Sequence, residues 1–124
     1  MRRIWRAAAL LLLVQAAIGS AAWTGQESKD DAQVQTLYSK ARSAQAAGNL
    51  AEAAERYEAI LAISPKLGAA YNNLGSIYIQ LRELRKAAEV LQKGLKINPS
   101  MPSASALLGI AQYEMGAYRK RSNS

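Results

Sequence analysis

The chain is 124 residues long and carries a formal net charge of +7, with neither cysteine nor histidine. That length holds one small domain, and the missing residue types exclude disulfides, thiolate or imidazole zinc sites and triad-type nucleophilic catalysis, so a non-enzyme with no cofactor is expected. Arg2, Arg3, Arg6, Arg119, Lys120 and Arg121 carry most of the excess charge at the two ends, leaving ten basic and nine acidic residues between them, which is not the spread basic face of a nucleic-acid binder.

From the N-terminus, Met1 to Arg6 are basic, and Ala7 to Ile18 form an apolar run broken only by Gln15. Gly19, Ser20, Ala21 and Ala22 are small, which completes the pattern of a secretory signal peptide over residues 1–22. Cleavage is expected after Ala22, with Ala21 as the alternative. An uncleaved membrane anchor is the competing reading. Against it, Arg6 and Gln15 interrupt the window Ile4 to Trp23, where a span wants about 20 predominantly apolar residues. The expected location is the bacterial periplasm or the medium, with membrane contact only through an uncleaved leader. Residues 23–32 (WTGQESKDDA) are polar, contain Gly and show no periodicity, the marks of a flexible linker. Asp30 and Asp31 are read as solvated carboxylates that favour the start of a helix, not as a metal site.

Beyond the linker the chain is rich in Ala, Leu, Glu, Lys and Arg, and its three prolines are Pro65, Pro99 and Pro102. Helices are predicted at 33–47, 50–62, 67–80, 84–96 and 101–116. Leu67, Tyr71, Leu74, Tyr78 and Leu81 recur at steps of four and three, and so mark one helical face. Leu84, Ala87, Leu91 and Leu95 mark another. A shift of 34 residues places Ala41 on Gly75 and Gly109, Leu50 on Leu84 and Tyr118, Tyr57 on Leu91, and Pro65 on Pro99. The small residues Ala41, Gly75, Gly109, Ala53 and Ala87 let paired helices approach closely, and Pro65 and Pro99 end the second helix of each unit.

This register resembles the tetratricopeptide-repeat (TPR) family over residues 33–118. The unit 68–101 carries Tyr71, Leu74-Gly75, Tyr78, Ala87, Leu91 and Pro99 at the family spacing. The unit 34–67 carries Leu37, Ala41, Ala44, Gly48, Ala53, Tyr57 and Pro65, and departs from it at Lys40 and Ile60. A third, partial unit, 102–118, shows Leu108-Gly109 and Gly116. The resemblance implies an all-α solenoid of antiparallel helix hairpins, about five helices beyond the signal helix. It also implies a concave groove that receives a protein or peptide. On that basis the groove residues are Tyr38, Arg42, Gln45, Asn72, Asn73, Ser76, Ile79, Ala106, Ile110 and Tyr113. A clamp for a C-terminal carboxylate is not expected, since only Asn73 matches that subtype. Tyr38, Ser103 and Leu107 replace its basic residues, and Arg42 stands where it has Asn.

Other constellations carry less. Glu52, Glu55 and Glu58 read as a solvated face. Arg82, Arg85, Lys86, Lys93 and Lys96 tint one region basic, with Glu83 and Glu89 between them and no exposed aromatic platform beside them. Residues 119–124 read as a basic disordered tail. Leu108, Ala111 and Met115 are expected to leave an apolar stripe uncovered, because the 34-residue pattern breaks off after Tyr118. Two explanations stay open: a truncated longer repeat protein, or an open end that self-associates or docks on a partner. The function expected is an exported, non-catalytic scaffold for protein or peptide partners. The alternative is an accessory repeat module of a larger exported enzyme or envelope-assembly protein.

Overall fold

The prolines and the apolar steps divide the chain as the register requires. The computed structural model describes residues 29–124, and every regular element among them is helical. Helix α1 covers 29–46 of the described residues. It is followed by α2 (Leu50–Ile63), α3 (Gly68–Gln80), α4 (Leu84–Ile97) and α5 (Pro102–Ser122). The signal peptide and residues 23–28 of the expected linker lie outside the described residues. Residues 29–32, expected in the linker, are helical, because no Gly or Pro separates Lys29 from the helix behind it. The packing that follows is that of Val34–Ser124.

The two turns inside the hairpins share one geometry. After α1, the Asn49 N–H donates to the Ala44 carbonyl (2.8 Å) and the Gly48 N–H to that of Gln45 (3.1 Å). After α3, the Glu83 N–H donates to Tyr78 (2.9 Å) and the Arg82 N–H to Ile79 (3.0 Å). Each is a Schellman closure, which needs a left-handed residue just past the helix. Gly48 supplies it at φ +81, and Arg82, the same register position one unit later, at φ 62. Space around Gly48 is open, so Gly48→Ala isolates the backbone term: we expect a loss of about 1 kcal/mol by thermal melting. Arg82→Gly should not lower stability.

The core is built from a few large side chains among many alanines. Tyr57, Ile60, Leu74, Ile77 and Leu91 are the largest side chains fully buried, and Ala41, Ala53, Ala70, Ala87, Ala104 and Ala111 have no exposed surface. The helices approach closely enough that the Gly75 Cα faces Leu91 directly: a Cβ there would lie 2.4 Å from Leu91 Cδ2. The same holds at Gly94, where a Cβ would meet Tyr71 Cβ at 2.8 Å. Ile60, one unit earlier in the register, is large where Gly94 is small. Its opposite number there is Leu37, packed against the cluster that holds Ile60. The first unit thus has Leu and Ile, a branched side chain from each helix, at the positions where the second sets a single Tyr over a Gly. Lys40, the other departure, is exposed and costs the core nothing.

Helix α5 departs from expectation in two ways. It opens on Pro102 at its first turn, as a fixed φ favours, but it does not turn at Gly116. It runs to Ser122, so most of the expected disordered tail is helix. Ala117–Arg121 contain no breaker, and Arg119, Lys120 and Arg121 in the last turn complement the negative end of the helix dipole. The second correction concerns the uncovered stripe. Ala111 is fully buried and Leu108 and Met115 are half-buried, because α5 packs against both α3 and α4. The open face carries instead Ser105, Gly109, Gln112 and Gly116, all exposed. These take the register positions of Tyr71, Gly75, Tyr78 and Arg82, so the face is mostly small or polar.

Candidate functional site

Helices α1, α3 and α5 are the first helices of their units, and each turns its apolar face toward the core. On α3 that face is Ala70, Leu74, Gly75, Ile77 and Tyr78, all buried. What remains on the other side is Asn72, Ser76 and Ile79, spaced i, i+4, i+7 and half-buried. The 34-residue register places the same strip on α1 as Tyr38, Arg42 and Gln45, and on α5 as Ala106, Ile110 and Tyr113.

The chemistry changes along these strips. On α1 it is polar: Arg42 is exposed, while Tyr38 and Gln45 are half-buried. On α5 it is apolar and open: Ile110 is 45% exposed and Tyr113 78%. Exposed large hydrophobics of this kind mark contact surfaces when they lie beside one another, and Ile110 and Tyr113 are one turn apart.

Asn73 stands beside the strips, and the structure joins it to α1: its Nδ2–H donates to the Tyr38 hydroxyl at 2.7 Å. Tyr38 also meets Tyr57 edge to face, with centroids 5.6 Å apart and rings at 88°. Burial, then the neighbouring Tyr38, pushes the Tyr57 phenol up, and Arg42 partly offsets this. Tyr38 is thereby held on both sides while its own hydroxyl proton stays available. The Asn72 Oδ1 is shut from solvent with no donor. An unmet acceptor of this sort costs about 1–3 kcal/mol. The remaining strip residues Arg42, Gln45, Ile79, Ala106, Ile110 and Tyr113 are not joined to one another by hydrogen bonds.

The carboxylates once considered together are separated in role. Glu52 pairs with Arg56 one turn on at 3.4 Å, an exposed pair worth little. Glu58 accepts a hydrogen bond from Tyr78 across the α2–α3 contact. Burial, and then that bond, raises the Tyr78 phenol far above the ordinary tyrosine range, and the Lys86 ammonium lies 5.7 Å from its ring centroid. Tyr78 thus ties α2, α3 and α4 together. Among the described residues no group of three or more His, Cys, Asp or Glu is placed to hold a metal ion, and no helix is long and apolar enough to cross a membrane.

One feature escaped the sequence reading. A cavity of about 650 Å³ lies between the start of α4 and the last turns of α5, with Arg85, Lys86, Tyr118 and Arg119 among its walls. An aromatic therefore does accompany the basic residues, contrary to expectation, since Tyr118 is 70% exposed. The signal was the unbroken helix-forming run after Gly116, which carries Tyr118 and Arg119 back alongside Arg85.

In comparisons with known proteins, a family model described as tetratricopeptide repeat matches residues 44–109, more than half of the chain. No curated protein matches it.

Proposed function

Because this chain belongs to the tetratricopeptide repeat family, whose members generally serve as protein-interaction modules, we propose that it is an exported, non-catalytic scaffold that binds an extended peptide or partner helix across α1, α3 and α5. The observation that carries this is the open strip of Ile110 and Tyr113, in register with Ser76 and Ile79 on α3 and with Arg42 and Gln45 on α1. Apolar side chains of the ligand rest on Ile79, Ile110 and Tyr113. Toward α1, Arg42, Gln45 and the Tyr38 hydroxyl meet its polar groups. Such a division, with aromatic area at one end and hydrogen bonds at the other, suits peptide recognition. Export is supported by the basic, apolar and small-residue order of residues 1–22, with the periplasm or the medium as destination. The test is photocrosslinking from a reactive residue placed at Tyr113, with Lys93 on α4 as the exposed control: one discrete adduct is expected from position 113 alone.

A further inference from the structure

The cavity between α4 and α5 is separate from the strips, for none of the strip residues lines it. Its apolar surface comes from Leu84, Met115 and Tyr118, and its charge from the cations Arg82, Arg85, Lys86 and Arg119 and the single carboxylate of Glu83. Two of these cations are already engaged. Arg82 pairs with Glu114, and Lys86 with Glu83 at 3.2 Å. Arg85 and Arg119 have no carboxylate partner among the described residues. Glu83 turns to Lys86, and α4 opens without a side-chain cap, so the positive end of its dipole adds to the field of the two free guanidinium groups.

We propose that this notch is a second binding site, for an acidic peptide segment that carries a large apolar side chain. The apolar side chain enters between Leu84, Met115 and Tyr118. Flanking Asp or Glu carboxylates meet Arg85 and Arg119, whose planar donor forks match carboxylates in bidentate fashion. The volume is that of a pocket for a few side chains. A lipid surface is flat and has no side chain to insert. A second copy of this chain would bring its own Arg119, Lys120 and Arg121 against the same cations.

The test is fluorescence anisotropy of a labelled Asp/Glu-rich peptide containing one leucine pair, titrated with the full chain at low salt. Saturable binding is expected, weakening as salt is raised. Arg85→Gln with Arg119→Gln should weaken it about tenfold, as the loss of two solvent-exposed ion pairs implies. Both residues are exposed, so the fold is not at stake. Tyr118→Ser should weaken binding as well, while Arg42→Gln with Asn72→Ala should leave it unchanged. The proposal is overturned by equal binding of the peptide with Asn/Gln in place of Asp/Glu, or by wild-type affinity in the double-Gln variant. It is also overturned if the Arg42 and Asn72 changes abolish binding, which puts the peptide on the strips. Two further results overturn it: an Arg85- and Arg119-dependent capture of phosphatidylglycerol vesicles without peptide binding, or self-association of the chain through the same residues.

Discussion

Leu91→Ala should lower stability by about 2–5 kcal/mol, the range for emptying a fully buried leucine site. Leu91 has no exposed surface and lies over Gly75, with three of its carbons within 3.0 Å of where a Cβ would stand. It comes from α4 and meets α3, so its loss loosens the hairpin of the middle unit. In a solenoid each unit is held by its neighbours, and among the described residues this unit has them on both sides. Chemical denaturation of the full chain measures the loss. A change below about 1 kcal/mol would mean that the α3–α4 contact is looser than described.

Gly75→Ala should also destabilise, and Gly109→Ala should not. At Gly75 the added methyl would sit 2.4 and 2.5 Å from Leu91 Cδ2 and Cγ. Leu91 is buried and cannot swing aside, so overpacking of about 1–3 kcal/mol is expected, partly offset by the better helix propensity of Ala. Gly109 is the same register position one unit later, yet nothing lies within 4 Å of its Cβ direction. There the propensity gain of up to about 1 kcal/mol stands alone. The two changes are chemically identical, so opposite shifts in melting temperature read out the presence of a packed helix over one glycine and its absence over the other. In the pair Gly75→Ala with Leu91→Ala, the new methyl enters the space the leucine leaves. The double variant should therefore lose less than the sum of the singles, by about 0.5–3 kcal/mol.

Much of this was legible in the residues. Helix bounds follow from the apolar steps and from Pro65 and Pro99, and the α2, α3 and α4 ends agree with the prediction to within one residue. Gly48 announced its turn, because a left-handed position selects glycine. Arg82 did not, since that conformation shows only through its register with Gly48. The end of α5 was misjudged for a related reason. Gly116 stands where the other two units turn, but a glycine only permits the left-handed turn, and Ala117–Arg121, with no Pro among them, continue the helix. That single local outcome turns a tail into a wall and creates the notch that the sequence, read linearly, scatters over two distant basic clusters. The strip residues follow as a set only from the resemblance to the repeat family, which assigns a groove to the first helix of each unit; the 34-residue period alone only aligns them. The Asn73–Tyr38 hydrogen bond was not legible, because it depends on how closely α1 and α3 sit.

The central claim is that the surface of α1, α3 and α5 receives a peptide, and photocrosslinking of the full chain tests it most directly. With the reactive group at Tyr113, and separately at Asn72, the same partner should be captured from both sites. Capture from Lys93 on the far helix should be absent, and substituting Ile110 by Ser should reduce the yield from position 113. Equal yields and the same mixed adducts from positions 113, 72 and 93 would contradict the account.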